Sequence, residues 1–134
     1  MKTLKKISAL TLLTFALSTF SFMSLTAQTS DSDVTVIELT QTTGEFATQN
    51  LTLTPGKYQF KIVNKNVDHE VGFGIQKAQE AEMDFMKTVL PTSLASNTIK
   101  TGESAYTGVV ELSEGEYVYS CPLNPTPHYT INVK

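Results

Sequence analysis

Gly115-Glu-Tyr-Val-Tyr-Ser-Cys121 leads through Pro122-Leu-Asn-Pro-Thr-Pro127 into His128-Tyr-Thr-Ile-Asn-Val133. The two ends read as short β-strands over 116–121 and 129–133, with Tyr129, Ile131 and Val133 in phase on one face. The six residues between Cys121 and His128 include three prolines, so they predict a stiff loop rather than a tight turn. Working outward, Ser113-Glu114-Gly115 carries a turn signal and 106–112 reads as the preceding strand, which predicts a hairpin between 106–112 and 116–121.

Further toward the N-terminus the same rhythm continues. Lys57-Tyr-Gln-Phe-Lys-Ile-Val63 alternates, with Tyr58, Phe60 and Ile62 on one face. Pro55-Gly56 separates it from a strand over 50–54, and 34–39 is β-branched and apolar. His69-Glu-Val-Gly-Phe-Gly-Ile75 keeps the alternation through Val71, Phe73 and Ile75. One segment breaks it. Residues 76–90 are rich in helix formers, with Ala78, Ala81, Phe85 and Val89 at helical spacing, and Pro91 ends the run. Asp84 and Lys87 stand at i,i+3 on its solvated side, Met83 and Met86 are expected on its buried side, and Glu80, Glu82 and Asp84 form a solvated acidic face. Seven short strands with one short helical insertion predict an all-β fold, a Greek-key antiparallel β-sandwich.

The chain has 134 residues and a formal net charge of −3, with ten lysines, no arginine, one Cys and two His. The size is that of one domain. The acidic balance speaks against nucleic acid as a partner, and a single Cys excludes an internal disulfide. Lys2, Lys5 and Lys6 precede an uncharged, Leu- and Phe-rich stretch over 7–23, followed by small residues near Ala27-Gln28. This reads as a signal peptide over 1–27, followed by a flexible start over 28–33 and a domain over 34–134. The exported protein, periplasmic or extracellular, would then leave the membrane and carry seven lysines against thirteen acidic residues, a net charge of −6. An unpaired thiol in such a compartment calls for a role.

Apart from Met83 and Met86, His69, Cys121 and His128 are the only soft or imidazole donors in the domain. One thiolate with two imidazoles is the donor set of a blue-copper centre, and zinc is chemically admissible. Each residue also has a plainer reading: a surface His at a strand end, a buried Cys in the core, a loop His.

Two places in the sequence resemble the cupredoxins, the small blue-copper proteins. Phe60-Lys-Ile-Val-Asn64 followed by His69 looks like the strand and loop bearing the family's first His ligand. Gly115 through Cys121, then His128 through Val133, resembles the family's Cys strand, ligand loop and closing strand. The resemblance implies one copper ion held by His69, Cys121 and His128, with electron transfer or copper carriage as the function. The ligand loop is long for the family, and no axial Met follows His128; Met83, Met86, Glu70 or no residue at all would take that place. It also implies a monomer that meets a redox or copper-trafficking protein partner. The competing reading is a metal-free sandwich that docks an envelope partner through the insertion and the 91–101 loop. No nucleophile–base–acid order is recognisable, so the chain is not expected to be an enzyme.

Overall fold

A computed structural model describes residues 33–134. The expected signal peptide over 1–27 and all but Asp33 of the flexible start lie outside the described residues. Eight strands occur among those described: β1 (Val34–Thr42), β2 (Glu45–Phe46), β3 (Leu51–Leu53), β4 (Gly56–Asn64), β5 (Gly74–Lys77), β6 (Ser104–Leu112), β7 (Gly115–Ser120) and β8 (Tyr129–Val133). They form two four-stranded sheets, ordered β2-β1-β4-β6 and β3-β8-β7-β5. The β-sandwich expected from the alternation is present, but its pairing is mixed: β1 runs parallel to β4, and β3 runs parallel to β8.

The alternation does what it predicts. Tyr58, Phe60 and Ile62 of β4 are buried, as are Val71, Phe73 and Ile75, and Tyr129, Ile131 and Val133. Facing residues of the two sheets meet in an aromatic cluster in which Phe46, Phe73, Tyr119 and Tyr129 lie with ring centroids 5.2 to 6.0 Å apart. The phenol of Tyr119 donates to the carbonyl of Thr48, and burial pushes its pKa well above the ordinary phenol range. Opposite β6, β4 shifts register between Gln59 and Lys61. There Thr107 Oγ1 accepts from Phe60 N at 3.0 Å, satisfying an amide the bulge leaves without a ladder partner.

Three expectations change. First, Ser113-Glu114-Gly115 does not close a hairpin. Strand β6 pairs with β4 and β7 pairs with β5 and β8, so the turn carries the chain from one sheet to the other. Tyr117 Oη closes that turn by donating to Ser113 O at 3.1 Å. Second, 69–75 is a strand only from Gly74. Val71 instead pairs with Ile99 in an isolated bridge, and the backbone of Gly72 is taken by side chains.

Third, 76–90 is not one helix. Gln76 and Lys77 belong to β5, Ala78–Glu80 is a 3-10 turn, and α1 is a single helical turn, Phe85–Thr88. The buried amide of Gln76 explains the break: its Nε2 donates to Glu80 O at 3.1 Å and to Thr88 Oγ1 at 2.7 Å, fastening both turns to the sheet edge. Leu90 N then returns to Ile75 O at 2.8 Å. Phe85 and Val89 press onto β5 so closely that a Cβ on Gly74 would lie 2.7 Å from Val89 Cγ2. Asp84 and Lys87 do pair on the outside, at 3.7 Å. Met83 and Met86 are exposed rather than buried in the core. Among the described residues no helix is long and apolar enough to cross a membrane.

Candidate metal centre

Cys121 follows the end of β7 and is 1% exposed. Its Sγ accepts two backbone N–H groups, from Gly72 and from Asn124, each at 3.2 Å. Two backbone amides are thus aimed at one sulfur. Both donors are held by a frame of buried amides. Asn124 Nδ2 donates to Gln41 Oε1 at 3.1 Å and Thr42 O at 2.9 Å, while its Oδ1 accepts from Gly44 N at 2.8 Å. Gly44 turns between β1 and β2 with φ +76°, a conformation that favours glycine. Gln41 Nε2 in turn donates to Gly72 O at 2.7 Å. Thr126 Oγ1 accepts from Cys121 N at 3.0 Å and folds the loop back over the sulfur's own residue.

His69 reaches the same corner from the connection that carries the chain from β4 in one sheet to β5 in the other. Asn64 holds that connection: its Nδ2 donates to His69 O and Ile99 O, both at 3.0 Å, and its Oδ1 accepts from Val67 N at 2.9 Å. The His69 ring lies between two acceptors, with Nδ1 at 2.9 Å from Asp68 Oδ1 and Nε2 at 2.8 Å from Leu123 O. A carbonyl and an ionised carboxylate can only accept, so both ring nitrogens donate and the imidazolium is favoured. Its pKa is accordingly raised above 6.5, first by the Asp68 hydrogen bond and then by Leu123. For one of these nitrogens to bind a metal, its hydrogen bond must open.

His128 stands elsewhere on the rim. Its side chain is 36% exposed and its Nδ1 lies 3.7 Å from Glu82 Oε1 of the insertion. Glu70 is engaged too, its Oε2 accepting from Thr98 Oγ1 at 2.8 Å. The structure therefore brings His69 to the Cys121 loop through Leu123, while His128 faces the insertion. Among the described residues no three His, Cys, Asp or Glu side chains gather closely enough to hold a metal ion. Gln41, Asn124 and Gly72 carried no signal in the sequence as parts of this corner, because the bonds that join them, apart from the local one from Asn124 N to Cys121, span 31 to 83 residues.

No family model matches the chain, and no curated protein does. Solved structures do. Auracyanin A, a "blue" copper protein from the green thermophilic photosynthetic bacterium Chloroflexus aurantiacus, aligns with a TM-score of 0.60 at 16% identity, over 75% of this chain and 99% of its own. A dithionite-reduced auracyanin from Roseiflexus castenholzii gives 0.56 at 16% identity, over 75% and 97%. A reduced Cu(I) form of an amicyanin variant gives 0.50 at 15%, over 81% and 88%. The chain has the cupredoxin fold. Within that fold, the Cys121 corner lies where β7 ends and the loop to β8 begins, one sheet position from β5.

Proposed function

We propose that the protein is an exported, copper-binding cupredoxin-like carrier, of one electron or of the copper ion itself, and not an enzyme. In this reading residues 1–27 are a cleaved signal peptide, and His69, Cys121 and His128 hold the metal. The observation that carries it is the buried Cys121 sulfur receiving two backbone N–H groups beside the His69-bearing segment. The donor chemistry fits: a thiolate and imidazoles suit both copper oxidation states, and hydrogen bonds to the sulfur tune the potential. Copper bound there would supply a one-electron couple. The chain's own part is to shield the sulfur, to aim Gly72 N and Asn124 N at it, and to orient His69 through Asp68. The acidic surface of the mature domain favours a cationic redox or copper-trafficking partner.

Adding Cu(II) to the protein tests this. The expected result is an intense visible thiolate-to-copper band, abolished by Cys121→Ser. No band and no stoichiometric copper would overturn the reading. One observation favours the alternative of a metal-free docking module: both nitrogens of His69 are already in hydrogen bonds.

A further inference from the structure

A strand at the edge of a sheet presents unpaired N–H and C=O groups, and proteins ordinarily blunt it with Lys, Pro, a bulge or a covering loop. Among the described residues most edges of this sandwich are blunted. Along β6, Ser96 N donates to Tyr106 O at 3.0 Å and Ala95 bridges to Thr107. Along β5, Leu90 N donates to Ile75 O at 2.8 Å and Ser93 Oγ accepts from Ile75 N at 2.8 Å. Strand β3 is only three residues long.

Strand β1 differs. On the side away from β4 it pairs with β2 at Gln41 and Thr42 alone, which leaves Val34 to Leu39 without a neighbouring strand among the described residues. Thr40 O accepts from Ala47 N on that side, whereas Gln41 O accepts from Lys65 N on the β4 side. Backbone groups alternate along a strand, so Val34, Val36 and Glu38 turn their N–H and C=O groups to the open edge. The stretch Val34-Thr-Val-Ile-Glu-Leu39 contains no Lys, Pro or Gly, and it follows β4 without a register shift. Val36 is 54% exposed, and Thr35 and Glu38 are exposed as well.

We propose that this edge joins two copies of the chain, β1 against β1, antiparallel about a twofold axis beside Val36. The edge is self-complementary in that register. Val36 of one copy opposes Val36 of the other, Val34 of each opposes Glu38 of the other, and every outward N–H and C=O of the three residues gains a partner. Other registers do worse. Sliding one way runs Val34 into Thr40, whose carbonyl β2 already holds, and then sets Glu38 against Glu38. Sliding the other way carries Glu38 past the start of β1. In the favoured register Glu38 keeps its own Lys61 Nζ at 3.1 Å and faces a valine. The two Val36 side chains meet on the outer face. On the inner face Thr35 of each copy covers Ile37 of the other, a partly buried residue already packed against the core.

The association departs from the monomer that the sequence resemblance implies. It does not depend on the Cys121 reading. Because the joined strands run in opposite directions, the two Cys121 corners, each framed by Gln41 near the far end of β1, lie at opposite ends of the joined sheet.

The test uses the protein recovered from expression of the full chain, without added copper and with reductant present so that Cys121 cannot link copies. A single strand edge is a small interface, so sedimentation should show a monomer–dimer equilibrium with Kd on the order of 100 μM. As the dimer fills, the amides of Val36 and Glu38 should exchange more slowly with solvent, while those of Thr35 and Ile37, already turned to β4, should not change. Val36→Lys and Val36→Glu lie outside the core, and each should weaken self-association by more than roughly tenfold through like charges facing across the twofold. Mixing the two variants should restore the dimer, because position 36 faces its own counterpart. A protein that stays monomeric up to about 1 mM, or association that Val36→Lys leaves intact, would overturn the proposal. So would slowed exchange shared equally by Thr35 and Ile37, or a mixture that associates no better than either variant alone. The exchange pattern of the unmodified protein decides the matter even if a variant folds poorly.

Discussion

Replacing Asn124 with Ala should destabilise the protein by about 2–4 kcal/mol and open the Cys121 corner. Three side-chain hydrogen bonds disappear, to Gln41 Oε1, Thr42 O and Gly44 N. The losses are unequal. Gly44 and Thr42 are both half-buried, so water can replace those two bonds, at about 0.5 kcal/mol each. Gln41 is completely buried, and its orphaned carbonyl costs about 1–3 kcal/mol. With a urea m-value of about 1–2 kcal/mol per M, the midpoint falls by roughly 1–4 M at unchanged m. The effect should also reach the sulfur, because Gln41 holds Gly72 O while Gly72 N donates to Cys121 Sγ. Labelling of Cys121 by a thiol reagent should therefore accelerate well beyond the change in global unfolding. Asn124→Asp should be worse, since it turns a carboxylate oxygen toward two acceptors. A stability loss under about 1 kcal/mol with unaltered labelling would falsify the view that Asn124 is the clasp of this corner.

Gly74→Ala should cost about 1–3 kcal/mol by overpacking against Phe85 and Val89. Hydrogen exchange at Leu90 N, bonded to Ile75 O, should lose protection before the core strands do; equal protection would show that the insertion accommodates a methyl group. His69 should titrate above 6.5 in the metal-free protein, and Asp68→Asn should lower its midpoint toward that value. Because the folded pKa is raised, this contribution to stability is complete below the unfolded pKa and is lost as pH rises through the folded one. A ring-proton titration with a midpoint at or below 6.5 would refute the two-acceptor arrangement.

Much of the sandwich was legible because period-two alternation reports directly which side chains are buried. Tyr58, Phe60 and Ile62 declared one face of β4, and Tyr129, Ile131 and Val133 one face of β8. Partner choice is a different matter. The parallel pairing of β1 with β4 leaves no local mark, nor does the sheet change at Gly115. Phe46 sits among the rings of Phe73, Tyr119 and Tyr129, yet its strand has two residues and no period to detect. At 69–73 alternation overstated the strand, because the backbone of Gly72 serves Gln41 and Cys121 instead of a ladder. At 76–90 helical spacing marked which residues, Phe85 and Val89, would face inward. It could not reveal that one buried glutamine amide would divide the segment. Legibility of the Cys121 corner was similar: the sequence drew attention to His69, Cys121 and His128, while the amides that hold the corner are joined only through long-range folding.

The short parallel pair β3–β8 has a consequence for how the protein comes into being. Leu51–Leu53 waits for Ile131–Val133, and Asn50 Oδ1 for the amide of Thr130, a separation of 80 residues. A growing chain can assemble β1, β4 and β6 while the second sheet still lacks its middle. During that interval β3 has no neighbour, and the aromatic residues meant for the interior are partly uncovered. Such distant pairing implies slow folding relative to helical proteins of this size. Acquisition of the last strand, rather than collapse of the first sheet, should be the step that commits the molecule to its native state.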